Sequence, residues 1–429
     1  MVFDVGPRIL LNGRADTPSM KRPPNILWIV TTQWRASACG YAGDPNARTP
    51  HLDALAAESV NYTQAVTPHP FGPFARAAML TGVPSPQNGV RDYFDPLPTN
   101  GRTIAHELRV RGYTTAYFGK WHLWKRDPAA SLVGEAHARI VVPPEARGGF
   151  VFWEGFEGGF LLNDPWLHGT RLEHPKQFAG YQSDVLCARA AEWLTELGTR
   201  RSKIENPPPW FAVVSLEAPH PPYDAPAAGV ATRDERAIVL PANVPGGGEA
   251  EAQARRELAG YYAHLEATDR AIGRLLLPTE KRADTIVVFT SVHGDMHGAH
   301  GLFRKGWPHE ESVRVPLLIR GQRTVEGGRT CDATVSLINL PEMMMAEIEN
   351  RESRIRNVFA RISMPSVVAL PHQCDRAWRG VRTGAWKLVL NPDGSPWLYF
   401  DLENDPLELR NLAGDPARAD EIAAWARRA

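Results

Sequence analysis

Cysteine is scarce in this sequence. The 429 residues include four cysteines, Cys39, Cys187, Cys331 and Cys374, which lie far apart and form no CxxC pair. A zinc ribbon or a disulfide-rich scaffold needs closely spaced cysteines, so the spacing argues against both. The thiols are therefore expected to be reduced.

Long apolar segments are also lacking. No stretch is long enough and apolar enough to cross a bilayer. Near the N-terminus, residues 9–11 form an apolar run that is far shorter than the core of a signal peptide. We therefore expect a cytoplasmic protein of bacterial type that does not act on membranes. Met20 is a second candidate start residue beside Met1.

Neither sign of charge is in excess, since 48 Lys and Arg residues balance 48 Asp and Glu residues. A protein that binds nucleic acid or an anionic membrane through general electrostatics has a basic excess. We therefore expect no nucleic-acid partner. Any site for an anion must be a local cluster of cations.

Apolar runs alternate with helical patterns along most of the chain. Residues 25–32, NILWIVTT, are typical of a strand buried on both faces of a parallel sheet, and residues 49–60 form a helical pattern that begins with Thr49 and Pro50. Further strands are predicted at 114–122, 210–223 and 284–291, and further helices at 75–82, 103–113, 183–197 and 255–277.

This alternation predicts an α/β fold, in which polar residues at the ends of strands meet in one crevice. The candidates for this crevice are residues 31–33, residues 120–122, His220 and residues 291–300. The last of these belongs to the stretch FTSVHGDMHGAHGLFRKG at 289–306, which places three histidines and an aspartate within eight residues. Such a stretch is typical of either a metal site or a general-base site.

From about residue 375 the pattern changes to short alternating strands, joined by the turn NPDG at 391–394. This pattern predicts a small antiparallel subdomain with a short terminal helix. We therefore expect an N-terminal extension at residues 1–23, an α/β domain at 24–360 and a C-terminal subdomain at 361–429.

Six segments carry further information, namely PNILWIVTTQWR at 24–35, TPHLDALAAESV at 49–60, ARAAMLTG at 75–82, GYTTAYFGKWHLW at 112–124, APHPPYDAP at 218–226 and residues 289–321. In this order, the six segments resemble the sulfatase family of the alkaline phosphatase superfamily. With the C-terminal subdomain, the resemblance covers roughly residues 24–415. It implies a large, mixed but mostly parallel sheet flanked by helices, with a small antiparallel C-terminal subdomain.

The resemblance also implies hydrolysis of sulfuric esters. This chemistry uses a divalent cation, usually calcium, and a formylglycine made from the Cys or Ser of a C/S-x-P-x-R motif. Gly72, four residues before Arg76, stands at the position of that Cys or Ser, and glycine has no side chain that could attack a substrate.

The metal positions also depart from the family pattern. Thr32 and Val292 stand where the resemblance implies metal-binding aspartates, and Gln33 and His293 stand at the two neighbouring positions. A hard cation needs several oxygen ligands, preferably charged ones. We therefore expect no calcium, no formylglycine and no other cofactor, and we expect the hydrolysis that depends on them to be lost.

The positions that contact the nucleophile and the sulfate group in the family are intact. They are Arg76, Lys120, His122, His220 and Lys305. Buried cations require an anion or a lowered pKa. The sequence therefore predicts a pseudoenzyme that binds a small ligand with a sulfate, phosphate or carboxylate group.

Other functions stay open. The pocket could perform general acid and base chemistry without a metal through His122, His220 and His293. Alternatively, Thr32, Thr67 or Ser291 could serve as an unusual nucleophile of a hydrolase.

His297 stands where many members of the family have leucine, so His293, Asp295 and His297 are candidate ligands for zinc or iron. His300 matches a family histidine that is expected to order the loop. As to partners, we expect a homo-oligomer or a dimer with an active paralogue.

Overall fold

The computed structural model describes residues 22–279, 284–321, 328–353, 355 and 358–429. The predicted N-terminal extension, residues 1–23, therefore lies outside the described residues except for its last two. The two candidate start residues lie outside them as well.

Sixteen strands and nine α-helices are found in this part of the chain. The strands are β1 Asn25–Thr31, β2 Val60–Tyr62, β3 Ala65–Val66, β4 Thr114–Lys120, β5 Phe152–Phe156, β6 Trp166–Gly169, β7 Leu172–Gln177, β8 Trp210–Ser215, β9 Thr285–Ser291, β10 Leu317–Arg320, β11 Arg329–Cys331, β12 Val335–Ser336, β13 Ala360–Met364, β14 Trp378–Arg382, β15 Trp386–Leu390 and β16 Pro396–Asp401. The helices are α1 Pro50–Ala57, α2 Gly72–Thr81, α3 Ile104–Val110, α4 Glu135–Ala138, α5 Gln182–Arg201, α6 Glu249–Leu276, α7 Glu310–Val313, α8 Leu340–Ile348 and α9 Ala419–Ala426.

One sheet of ten strands organises the α/β domain, in the order β11-β2-β10-β9-β1-β8-β4-β5-β6-β7. The five central strands, β9, β1, β8, β4 and β5, run parallel to one another. Antiparallel strands flank this centre on both sides. The carboxyl ends of the parallel strands therefore meet along one edge of the sheet, which is where ligands bind in such folds.

The position of β1 inside the sheet explains why residues 26–30 are all apolar. Side chains alternate between the two faces of a strand. Trp28 and Val30 belong to the core on one face, and Leu27 and Ile29 belong to the core on the other. Because helices cover both faces, neither set of side chains can be polar.

The first core includes residues of α2, α3 and α8, and the second includes residues of α1, α5 and α6. Strands β13 to β16 form a separate antiparallel sheet of four strands, against which α9 packs. The predicted α/β fold with a small antiparallel C-terminal sheet is thus confirmed.

Several element boundaries differ from those that the sequence patterns predict. Helix α2 begins at Gly72 rather than at residue 75, and α5 continues to Arg201, beyond the predicted end at residue 197. The sequence pattern predicts the first C-terminal strands from about residue 375, but the C-terminal sheet begins earlier, with β13 at Ala360. This strand begins at the predicted domain boundary, between residues 360 and 361.

The stretch 125–180, which matches no sequence pattern, contributes three strands to the main sheet. The sequence patterns do not predict strand β5, because the charged residue Glu154 stands in its middle. Arg171 and Arg189 both pair with this fully buried carboxylate, and these partners, distant in sequence, offset the cost of burying its charge.

As for a membrane, no helix in the described ranges is long and apolar enough to cross one.

Gly260 in α6 sets how closely this helix approaches the segment that follows β8. A Cβ atom at this position would lie 1.8 Å from the carbonyl oxygen of Tyr223. We predict that Gly260→Ala lowers the free energy of unfolding by about 1–3 kcal/mol, because backbone atoms must move apart in a packed core. Urea unfolding of the purified variant measures this loss.

The matched control is Gly414→Ala, because a Cβ atom at Gly414 would meet nothing within 4 Å. This variant is expected to stay within about 0.5 kcal/mol of the parent protein. Equal stabilities of the two variants would contradict the close approach of α6.

Candidate functional site

The candidate site lies at the carboxyl edge of the central strands. Thr31 pairs with Ser291 at the ends of β1 and β9, and Ser215 ends β8 beside β4. Helix α2 begins with Gly72 and Pro73 near this edge, and its Arg76 reaches the ends of β8 and β4. The ends of four strands, β1, β4, β8 and β9, and the first residues of α2 therefore meet here.

Arg76 is buried and bonded within the protein. Its Nη1 donates to Ser215 Oγ at 2.5 Å and to the Lys120 carbonyl at 3.3 Å, and its Nη2 donates to Thr32 Oγ1 at 2.9 Å. Thr32 Oγ1 in turn donates to the carbonyl of Leu216 at 3.0 Å. The guanidinium thus joins β1, β4 and β8, and it holds a positive charge beside Thr32.

Lys120 forms an ion pair that the sequence patterns do not predict. Its Nζ lies 2.7 Å from Glu217 Oε1, and both side chains are at most 1% exposed. The same Nζ lies 4.6 Å from the centre of the Phe160 ring. Burial lowers the pKa of Lys120 to about 8, although the charge of Glu217 opposes this shift.

Lys305 lies between two predicted site residues. Its Nζ donates to Gln33 Oε1 and lies 3.0 Å from His220 Nε2. Burial and the positive charge of Lys120 lower the pKa of Lys305 to about 7. His220 Nδ1 lies 2.8 Å from the Pro221 carbonyl, so this nitrogen carries the proton and Nε2 accepts from Lys305.

Asp295 is the second buried carboxylate near the cations. Its Oδ2 accepts from Gln33 Nε2 and, at 2.7 Å, from the hydroxyl of Tyr223. Burial opposes its ionisation, but the charges of His297 and Arg304 together with the Tyr223 hydroxyl hold its pKa below the ordinary value. Asp295 therefore stays charged and reaches Lys305 through the Gln33 amide.

Gly72 and His122 are packed against each other. A Cβ atom at Gly72 would lie 2.9 Å from His122 Nδ1, and this nitrogen has no hydrogen-bond partner among the described residues. Burial and the positive charges of Arg126 and Lys120 hold the pKa of His122 well below its ordinary value. A neutral imidazole therefore fills the space into which a side chain at position 72 would project.

The remaining predicted positions also lie here, but they do not form a metal cluster. Val292 is fully buried in an apolar core, and His293 is fully buried with its Nδ1 2.8 Å from the Gly294 carbonyl. The ring of His297 packs 4.3 Å from that of Tyr261, centre to centre. In the part of the chain that the structure describes, His293, Asp295 and His297 do not bring ligand atoms together around one point.

A different group does so, namely His300, Glu311 and Glu408, whose ligand atoms lie within 4.8 Å of one another. The ammonium of Lys387 contacts Glu408 and so already supplies a positive charge next to this group. The backbone N–H of His300 donates to the Asn243 carbonyl at 2.7 Å, which fits a residue that orders the loop.

Sequence reasoning did not single out Glu217, Phe160 and Tyr223 as site residues. Glu217 stands three residues before His220, so the sequence signal was its place just beyond the end of β8. Phe160 stacks on His220 with ring centres 4.5 Å apart. Its stretch is rich in glycine and aromatics but has no periodicity that would place it at the site.

The mixed sheet and the groups at its carboxyl edge define a protein of the alkaline phosphatase class. The sulfatase family model matches residues 24–346, and the chain belongs to this family. An ulvan-active sulfatase of Formosa agariphila is 33% identical over 92% of this chain and 78% of its own length.

Two further relatives illustrate the range of the family. A choline-sulfatase of Rhizobium meliloti is 28% identical, and the alignment covers 92% of this chain and 83% of the relative. The crystal structure of the sulfatase homologue yidJ from Bacteroides fragilis has a TM-score of 0.80 at 23% identity, with 96% of each chain covered. The last of these comparisons supports the fold alone.

The cation and the formylglycine of this family do not fit the residues present. Thr32 Oγ1 accepts from Arg76, Gln33 Oε1 accepts from Lys305, and Val292 offers no ligand. A divalent ion at these oxygens would replace two cations and still lack the carboxylates that a hard cation prefers. A glycine at position 72 cannot be converted to formylglycine, since it has no Cβ.

The buried histidines predict a specific dependence of stability on pH. Burial and Lys305 hold the pKa of His220 well below its ordinary value of 6.5. The unfolded chain therefore binds a proton below pH 6.5 that the folded chain refuses, and stability falls as pH decreases from 7 to 5. We predict that His220→Gln reduces this fall by about 2 kcal/mol, since Gln does not titrate.

The measurement is urea unfolding of both proteins at pH 7 and pH 5, with the difference between the two pH values compared. The control is His174→Gln, which changes an exposed histidine. An identical fall for the His220→Gln variant and the parent protein would mean that His220 is not held neutral by the fold.

Proposed function

We propose that this protein binds a small anionic ligand at the Arg76, Lys120 and Lys305 cluster and has lost the metal- and formylglycine-dependent hydrolysis of sulfuric esters. The ligand carries a sulfate, phosphate or carboxylate group. Arg76, Lys120, His122, His220 and Lys305 form its surroundings. This makes the protein a pseudoenzyme of the sulfatase family.

The packing of His122 against Gly72 is the observation that carries the proposal. Loss of a nucleophile by itself would leave space at the start of α2. Instead, His122 Nδ1 lies 2.9 Å from where a Cβ atom of residue 72 would be. Such close packing supports a site that has adapted to the absence of a nucleophile.

The charges around the site support an anionic ligand. Arg76, Lys120 and Lys305 are each at most 7% exposed. Arg76 Nε and His293 Nε2 are buried and have no hydrogen-bond partner within the described ranges. Unpaired polar atoms of this kind cost about 1–3 kcal/mol each unless a ligand or water bonds them. An anion that accepts hydrogen bonds would satisfy the donors among them.

Lys305→Gln tests the binding site. Its ammonium has a neutral imidazole and an amide as its direct contacts, so a bound anion gains directly from its charge. We predict that the variant binds sulfate, phosphate and acetate at least about tenfold more weakly than the parent protein, a loss typical of a charged hydrogen bond. Isothermal titration calorimetry measures each affinity.

Lys203→Gln is the matched control, because this lysine is exposed and lies outside the site. The same preparations are assayed with 4-nitrophenyl sulfate and analysed for bound metals. Turnover at enzymatic rates together with stoichiometric calcium or magnesium would contradict the proposal, and so would equal anion binding by the two variants.

General acid and base chemistry is the second candidate function, and two nitrogens favour it. His122 Nδ1 and His293 Nε2 are buried and lack hydrogen-bond partners in the described part of the protein. Burial holds the pKa of both rings well below the ordinary value, so each is neutral and can accept a proton. Cations nearby could stabilise the anion that forms when a proton is removed next to a carboxylate.

Deuterium exchange tests this alternative. If the pocket removes such protons, small carboxylic acids incubated with the protein in D2O exchange their α-hydrogens, as proton NMR detects. We predict for this case a loss of about 100-fold or more in His122→Ala or in His293→Ala, the usual contribution of a general base. Exchange that is unchanged in both variants, as in the control His174→Ala, would exclude this chemistry.

A further inference from the structure

Glu217 is a buried carboxylate at the centre of the cation cluster. It follows β8 by two residues, and its Oε1 lies 2.7 Å from Lys120 Nζ and 3.7 Å from His220 Nδ1. Its side chain is 0% exposed, and Oε2 has no hydrogen-bond partner among the residues described. This carboxylate therefore lies beside the proposed ligand position, with Lys120 as its closest charged partner.

The count of charges in contact decides what the cluster can accept. Beside the site, Arg126 pairs with Glu157 and Arg304 pairs with Glu257. Apart from these pairs, the cations Arg76, Lys120 and Lys305 share the site with two carboxylates. Glu217 contacts Lys120 directly, and Asp295 is joined to Lys305 by the Gln33 side chain. With Lys305 protonated, one positive charge is left without a carboxylate, and an anion bound beside this lysine raises its pKa above the value of about 7. In a buried site, where solvent screens weakly, a ligand with one negative charge completes the balance and a second charge meets repulsion from Glu217.

We infer that Glu217 determines the charge of the ligand, and that it selects anions with one negative charge, such as sulfate monoesters and carboxylates, against dianions such as phosphate monoesters. The inference rests on the proposed binding function and narrows it. It assigns the selectivity for ligand charge to Glu217, the carboxylate that pairs with Lys120.

A purely structural role for the pair makes a different prediction. If the pair is purely structural, each member only neutralises the other. Loss of one partner then lowers the stability of the protein and changes the affinities for all anions in the same way. A selecting carboxylate affects ligands in proportion to their charge, because Coulomb energy scales with the product of the two charges. The ratio of two affinities separates these roles, whereas a single affinity does not.

Phenyl sulfate and phenyl phosphate are suitable probes, since they share the ring and the tetrahedral group. At pH 7.5 the sulfate ester carries one negative charge and the phosphate ester carries nearly two, because the second pKa of a phosphate monoester is about 6. Calorimetric titration of the parent protein is expected to give an affinity for phenyl sulfate at least about tenfold higher than for phenyl phosphate.

Two variants locate the origin of this preference. Glu217→Gln removes the charge, and it is expected to shift the ratio by at least about tenfold toward phenyl phosphate. Glu217→Asp keeps the charge and is expected to keep the preference for phenyl sulfate. Cooperative thermal unfolding of each variant verifies that it is folded.

The possible results are distinct. Equal affinities of the parent protein for the two probes would overturn the selectivity of Glu217 but leave anion binding intact, and this arm holds even if Glu217→Gln does not fold. An unchanged ratio in a folded Glu217→Gln variant would likewise assign the preference to other residues. Binding of neither probe, nor of acetate, to the parent protein would refute the proposed function itself.

Discussion

Burial of positive charge at the carboxyl edge of the parallel strands constrains the rest of this site. Lys120 is 1% exposed, and desolvation of an ammonium costs several kcal/mol unless a partner offsets it. Glu217 supplies this partner at 2.7 Å. Lys305, by contrast, contacts the neutral groups Gln33 and His220, and its lowered pKa reflects this weaker compensation. The two lysines therefore differ, because Lys120 has a carboxylate partner and Lys305 has none in direct contact. A nearby anion would stabilise the Lys305 ammonium more than the Lys120 ammonium.

The departures from the family pattern are linked through contacts. Thr32 accepts a hydrogen bond from Arg76 and Gln33 accepts one from Lys305, so each cation bonds an oxygen at a position that departs from the family pattern. His122 packs against Gly72 in the same way. The departure at position 72 is therefore accompanied by departures at positions 32 and 33, whose side chains accept hydrogen bonds from the cations. The residues at these positions are thus satisfied by contacts within the protein.

Much of the fold and part of the site could be predicted from the sequence, and the reason differs between residues. Strand β1 was predictable because a strand covered on both faces must be apolar at every position. Arg76, Lys120, His220 and Lys305 were found because they match family positions, and the fold brings them together. The role of Glu217 and the strand around Glu154 could not be predicted, because a carboxylate is normally exposed and its burial depends on partners far away in the sequence.

The C-terminal subdomain belongs to the site as much as the sheet does. The backbone N–H of Lys305 donates to Gln373 Oε1 at 3.2 Å, and the indole N–H of Trp378 donates to the Gly306 carbonyl at 2.8 Å. Both bonds hold residues 305 and 306 in the loop that follows β9. Because a glycine-rich loop has little rigidity of its own, the position of the Lys305 ammonium depends on this clamp. The C-terminal subdomain therefore helps to fix the backbone at Lys305 and Gly306.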